Sequence, residues 1–152
     1  MGARVSGDRM AISFDKLLDA FEFVSVRTEG QNTVYLCRQT GKTYWHSDFS
    51  DFQELEEELP DDIEDETKYI QVPNRNDLDL GKPLVFDFVS QFLPDDYDDV
   101  RDFLNRKGGY RRFRALVERR RVLDRWYKFE QEATNKALRD WCEANGIELP
   151  EP

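Results

Sequence analysis

Residues 33–47 of the chain, TVYLCRQTGKTYWHS, decide its fold class, because they predict strands in a sequence that is otherwise rich in helical patterns. Two runs of β-branched and aromatic residues flank residues 39–42, QTGK, and this arrangement is typical of an antiparallel β-hairpin. Gly41 can adopt the positive φ that such a turn needs. We therefore predict a hairpin over residues 33–46 and, from the apolar run in KYIQVP, a third strand over residues 68–72 that pairs with it.

Helical patterns occupy much of the remaining chain. In residues 13–25, SFDKLLDAFEFVS, Ser13 can cap a helix whose apolar residues recur at helical spacing. After the third strand, Pro83 suits a first helical turn and Pro94 ends that helix. The order of elements predicts an α+β fold, with a small antiparallel sheet and a helical C-terminal half.

Turn residues divide the C-terminal half into further helices. Gly108 and Gly109 are expected to break one helix, and Gly146 is expected to end the last. The last helix carries a predicted core stripe, formed by Val122, Trp126, Phe129, Ala133, Ala137 and Trp141. Four carboxylates crowd the start of another helix, and we interpret them as caps of its amides and not as metal ligands: Asp95, Asp96, Asp98 and Asp99.

Composition and charge limit the class of protein. The 152 residues suffice for one domain with its own core, and periodic apolar clusters argue against disorder. We predict a flexible leader over residues 1–10 and one domain over 11–149, with an acidic segment at 48–66 that begins with a brief helix before Pro60. Two widely spaced cysteines and the lack of a long apolar run in the sequence predict a cytoplasmic protein without a membrane partner.

Sequence motifs for chemistry are weak. Residues 40–43, TGKT, resemble the end of a phosphate-binding loop, but Leu36 stands where that motif requires glycine. Cys37, Cys142 and His46 lack the close spacing of zinc ligands, and we interpret both cysteines as packed thiols. We therefore predict no catalytic residues, no cofactor and no metal site. An enzyme that uses Asp or Glu chemistry ranks third among the functional hypotheses.

Residues 101–125 form a predicted basic helical segment within a chain whose formal net charge is -10. Its centre is KGGYRRFRALVERRR, residues 107–121, where helical spacing puts Tyr110, Phe113, Leu116 and Val117 in one buried arc. The arginines occupy the remaining surface. The residues that we predict to bind a partner or a phosphate are Arg111, Arg112, Arg114, Arg119, Arg120 and Arg121.

Two classes of partner fit this surface. We favour a non-enzymatic interaction or regulatory domain whose arginines meet an acidic segment, either residues 48–66 of the same chain or part of a protein partner. The alternative is a nucleic-acid-binding module, although a dedicated binder usually has a basic domain, and the buried arc would withhold Tyr110 from bases. We also expect partial neutralisation of the arginines by carboxylates of residues 48–66 or 95–102. The sequence leaves the oligomeric state open.

The C-terminal part of the chain resembles a known family. The stretch GGYRRFRALVERRRVLDRWYKFEQEATNKALRDWCEANGI, residues 108–147, is similar to the C-terminal signature of a bacterial uncharacterised protein family. The similarity rests on the glycine pair, the Arg-Phe-Arg segment, the Trp-Tyr pair and the Trp-x-Glu-x-Asn-Gly-Ile ending. The resemblance implies a bacterial, cytoplasmic origin and an α+β domain without an assigned activity, and it carries no catalytic residues.

Overall fold

A computed structural model describes residues 12–26, 32–47 and 59–149 of the chain. The chain folds into two compact units, of which the first is Met1–Asn76 with Leu138–Pro152 and the second is Asp77–Ala137. The elements confirm the predicted α+β class. The predicted leader and the predicted helix before Pro60 lie outside the described residues, and the single domain over residues 11–149 stays a prediction.

The first unit begins with helix α1, Phe14–Val26. The backbone N–H of Lys16 donates a hydrogen bond of 3.2 Å to the hydroxyl of Ser13, which confirms the predicted cap. The buried side of α1 carries Leu17, Ala20, Phe21 and Val24.

A three-stranded antiparallel sheet follows α1 in this unit. It consists of β1, Asn32–Cys37, β2, Thr43–Ser47, and β3, Tyr69–Gln71, in the order β2-β1-β3. Gly41 in the turn has a φ of 79°, as the sequence predicts for this hairpin. Alternate residues of the central strand are buried, and α1 packs against this strand. Both the hairpin and its pairing with the third strand are therefore confirmed.

The second unit is helical in its described elements. Helix α2, Lys82–Phe92, is followed by a 3-10 turn at Pro94–Asp96, by α3, Tyr97–Leu104, and by α4, Gly109–Arg119. Helix α5, Leu123–Ala144, begins in this unit and ends in the first. The core is a cluster of aromatic rings in which Phe113 lies 5.0 Å and Phe88 lies 5.2 Å from Trp126, measured between ring centroids.

The glycine pair interrupts the helical structure between α3 and α4, as predicted. Gly108 has a φ of 78°, which residues with a Cβ rarely adopt. Gly109 is buried, and a Cβ on this residue would collide with the backbone carbonyl of Phe103. The pair thus serves both a turn and a close approach of two helices.

The core stripe predicted along α5 is wrong in its second half. Trp126 is only 2% exposed, as predicted, but Trp141 is half-buried. The buried side chains near the end of the helix are Leu138 and Cys142, one residue away from the predicted positions. A fixed period selects one side of a helix, whereas the buried positions of α5 shift by one residue towards its C-terminal end.

The end of α5 follows the prediction closely. Gly146 has a φ of 70°, and the backbone N–H of Ile147 donates a hydrogen bond of 2.8 Å to the carbonyl of Cys142. Ile147 therefore folds back onto the last turn, as its sequence position indicated. Among the described residues, no helix combines the length and the apolar character needed to cross a bilayer.

Candidate functional site

Helix α4 supplies the candidate binding surface. It buries Phe113, Leu116 and Val117, and its first residue Gly109 lies against the end of α3. Because these residues fill one side of the helix, the other side faces solvent. Four of the predicted binding residues are exposed there: Arg111, Arg112, Arg114 and Arg119.

Arg120 and Arg121 do not belong to this helical face, although the sequence treats them as its continuation. The helix ends at Arg119, and Arg121 has a left-handed backbone with a φ of 61°. Its N–H donates a hydrogen bond of 3.0 Å to the carbonyl of Glu118. A non-glycine residue in this conformation costs about 1 kcal/mol. The rest of the fold therefore has to stabilise the turn at Arg121.

Arg120 forms a two-pronged ion pair with a buried carboxylate. Its Nε lies 3.0 Å from Oδ2 of Asp96 and its Nη2 lies 2.8 Å from Oδ1, while Asp96 is only 7% exposed. The hydrogen bonds from Arg120 hold the pKa of Asp96 below its usual value, although burial of the carboxyl acts in the opposite direction. Arg120 therefore contributes to the fold through this pair, while its side chain stays 48% exposed.

The ion pair corrects the predicted role of Asp96. This residue occupies the N-cap position of α3, but its side chain makes no capping hydrogen bond. The guanidinium offers two charge-assisted hydrogen bonds in parallel, which together are stronger than one bond from a backbone amide. The expected neutralisation of the arginines by residues 95–102 thus takes place at Arg120.

The other predicted binding residues differ from Arg120 in their ion pairs. Within the described ranges, none of the following forms an ion pair: Arg111, Arg112, Arg114, Arg119 and Arg121. By contrast, Arg101 pairs with Asp98 at 3.1 Å and Arg106 pairs with Asp102 at 3.2 Å. Counting only partners that the structure describes, the basic segment thus contains paired arginines on α3 and just after it, and arginines without an ion pair on α4 and in the turn that follows α4. We call the latter five residues the arginine surface.

Two tyrosines border the arginine surface, and one of them differs from its predicted position. Tyr110 is 51% exposed and so does not belong to the buried arc in which helical spacing placed it. It lies in the first turn of α4 at the edge of that arc, with its ring 6.2 Å from Phe113. Tyr127 of α5 is 42% exposed, and the guanidinium of Arg114 lies 5.8 Å from its ring centroid.

A groove in the second unit extends this surface, and the sequence did not predict it. Its apolar lining is Phe92, Val122 and Phe129, and its cationic lining is Arg121, Arg125 and Lys128. Two acidic residues also line it, Asp124 and Glu132, and its volume is about 580 Å³. We call it the anchor groove. The helical spacing of Arg125, Lys128 and Phe129 could have predicted that these residues share one side of α5. The contribution of Phe92 from α2 could not have been predicted from the sequence.

The two cysteines occupy separate positions, Cys37 at the end of β1 and Cys142 near the end of α5. Cys142 is buried, which raises the pKa of its thiol to about 11. Cys37 is half-buried at the end of β1. Burial raises the pKa of this thiol, but hydrogen bonds from Thr40 and from the backbone at Gln39 outweigh burial and leave it below the usual value. Across the described residues, no group of three or more His, Cys, Asp or Glu side chains could hold a metal ion.

A second cavity, of about 640 Å³, lies beside the sheet in the first unit. Its lining includes Tyr35, Tyr69 and Arg38, and the guanidinium of Arg38 is fixed by two backbone carbonyls. Its Nε donates to Glu66 at 3.0 Å and its Nη1 donates to Asn145 at 3.1 Å. These bonds join the loop before β3 to the end of α5, so Arg38 has a structural role within this unit.

The fold and the arginine surface together define a small α+β protein with a basic helical face. The model of the uncharacterised protein family UPF0158 matches residues 8–150, and the chain belongs to this family. No curated protein and no solved structure has significant similarity to the chain.

Proposed function

We propose that the protein is a non-enzymatic interaction domain that uses the arginine surface to bind an acidic segment of a protein partner. The observation that carries the proposal is the exposure of five arginines that lack ion pairs with any described residue. Exposed cations that crowd on α4 and in the turn after it repel each other, and a negatively charged partner removes this repulsion.

The chain as a whole favours a local partner over a long polyanion. Its formal net charge is -10, which opposes the approach of an extended polyanion, while the arginine surface attracts a short acidic segment at close range. Cys37 and Cys142 are free thiols, which suits the reducing cytoplasm that we propose as the location of the protein.

Single-stranded nucleic acid is the second candidate partner, and the two exposed tyrosines favour it. Tyr110 and Tyr127 border the arginine surface, and stacking of bases on aromatic rings adds to phosphate contacts in such binders. Tyr110 is 51% exposed, which removes the argument against nucleic acid that its predicted place in a buried arc had supplied.

A comparison of two charge-matched double variants tests the proposal. Arg111→Ala with Arg112→Ala removes two members of the arginine surface, whereas Arg101→Ala with Arg106→Ala removes two arginines that are paired with neighbouring carboxylates. Binding of labelled polyglutamate and of oligouridylate of equal length is measured by fluorescence anisotropy at low and moderate salt. We expect the first variant to weaken polyglutamate binding about fivefold and the second to leave it almost unchanged.

Each outcome has a distinct meaning. An equal loss of polyglutamate binding in both variants would show that net charge and not the arginine surface controls binding, which contradicts the proposal. Tighter binding of oligouridylate than of polyglutamate, with a steep salt dependence that requires Arg111 and Arg112, would make nucleic acid the preferred partner.

A further inference from the structure

The anchor groove has a chemistry that selects among acidic segments. We propose that it binds an acidic peptide segment that inserts an aromatic or aliphatic side chain against Phe92 and Phe129. This inference rests on the proposed function, because it specifies the class of segment that the arginine surface meets. The groove can bind one particular side chain of the segment, and a surface of exposed cations alone cannot do this.

The apolar part of the groove is held rigid from behind. Phe92 and Phe129 are half-buried, and their ring centroids lie 6.1 Å apart in an edge-to-face arrangement. Both rings contact the fully buried Phe88, at 4.9 Å and 5.3 Å respectively. An incoming ring therefore meets a surface that does not have to be ordered first, and covering these two rings removes apolar area from water.

The cations of the groove set the charge of its ligand. The guanidinium of Arg125 lies 5.0 Å from the ring centroid of Phe92, so this charge is held directly beside the apolar surface. Among the described residues, neither Arg121 nor Lys128 has an ion-pair partner. A carboxylate next to the inserted side chain would lie among these cations, because all three line the same groove.

The two acidic residues of the lining limit the electrostatic attraction. Asp124 and Glu132 oppose the three cations, which leaves an excess of only one positive charge in the groove. Charge alone therefore gives weak and unselective binding, and the inserted apolar side chain has to supply most of the affinity. This is the reason for proposing an anchored acidic segment in place of a simple polyanion.

Arg121 joins the groove to the arginine surface. It is a member of that surface, and its left-handed backbone places it in the turn between α4 and α5 where it also lines the groove. A segment anchored against Phe92 and Phe129 can therefore extend its carboxylates towards the arginines of α4. The two features form one continuous candidate site within the second unit.

A peptide with the sequence of residues 48–59, DFSDFQELEEEL, is a suitable probe, because its carboxylates alternate with two phenylalanines and two leucines. Its matched control is the same peptide with all four apolar residues replaced by serine, which preserves every charge. Binding of both labelled peptides to the full chain is measured by fluorescence anisotropy. We expect the apolar peptide to bind roughly tenfold more tightly than the serine peptide, as an inserted aromatic side chain would give.

Two charge-reversal variants locate the binding. Lys128→Glu changes a cation of the groove, and Lys82→Glu makes the same charge change at an exposed residue outside it. Lys128→Glu turns the excess of one positive charge in the groove into an excess of one negative charge, which should keep the acidic peptide out of the groove and so remove most of its tenfold preference, whereas Lys82→Glu should preserve this preference. Both side chains are exposed, so neither substitution should disturb the fold, and circular dichroism of both variants checks this.

The outcomes separate this inference from the proposed function. Equal affinity for the two peptides, with a loss in Arg111→Ala/Arg112→Ala, would overturn the groove proposal and leave the arginine surface as the binding site. A preference for the apolar peptide that depends on Lys128 but not on Arg111 and Arg112 would support the groove and contradict the proposed function. Self-association of the chain that Lys128→Glu abolishes, or tighter binding of oligouridylate in the groove, would assign it to another occupant and overturn the inference.

Discussion

Replacing Trp126 with alanine should destabilise the protein more than replacing Trp141, although both tryptophans lie on the same helix. Trp126 is 2% exposed and contacts the rings of Phe88, Phe113 and Phe129 in the second unit. Trp141 is half-buried. The substitution of Trp126 would leave a cavity in a packed aromatic cluster that the surrounding helices cannot fill.

The magnitude follows from the area that the ring buries. A buried tryptophan removes about 150–250 Å² from water, which at ~25 cal/mol per Å² corresponds to about 4–6 kcal/mol. Residual compactness of the unfolded chain reduces this value by roughly a quarter, to about 3–5 kcal/mol. Large-to-small substitutions of buried aromatic residues in other cores cost about the same. Trp141 is more exposed than Trp126, so we expect a smaller loss, of roughly 2–3 kcal/mol.

Urea unfolding followed by far-ultraviolet circular dichroism measures both losses. With a slope of about 2 kcal/mol per molar urea, Trp126→Ala should lower the midpoint by ~2 M and Trp141→Ala by ~1 M. A loss below about 1 kcal/mol for Trp126→Ala would refute the packing argument, since no fully buried ring could be removed so cheaply. A larger loss for Trp141→Ala than for Trp126→Ala would show that the stripe predicted from helical spacing is the true core of α5.

Three further predictions concern other residues. Gly109→Ala should destabilise the protein by about 1–3 kcal/mol in urea unfolding, because the added methyl collides with the backbone; an unchanged midpoint would contradict the close approach of α3 and α4. In Asp96→Asn, the free energy of unfolding should decrease less than in the parent as the pH is lowered into the acid range. The folded pKa of Asp96 lies below its unfolded value, so the contribution of its pair with Arg120 is present above the unfolded pKa of about 4 and disappears as pH falls through the folded pKa. In the native state, iodoacetamide should modify Cys37 before Cys142, whose buried thiol has a pKa of about 11; faster modification of Cys142 in peptide mass spectrometry would contradict its burial.

Local residues at the ends of elements determined much of the fold from the sequence alone. The cap at Ser13, the hairpin turn at Gly41, the break at Gly108 and the end of α5 at Gly146 are all where the sequence predicts them. Each depends on the backbone or hydrogen-bonding preference of one residue type within a few neighbours. Such preferences act over short distances and are therefore present in the sequence itself.

Tertiary structure alone decided which arginines form the candidate site. Arg119, Arg120 and Arg121 are chemically identical and adjacent, yet Arg120 pairs with Asp96, 24 residues earlier in the chain, and the other two have no ion-pair partner among the described residues. The exposure of Tyr110 and the contribution of Phe92 to the anchor groove likewise depend on neighbouring helices. Helical periodicity identifies which side of a helix a residue occupies, but burial and pairing depend on distant residues that folding brings close.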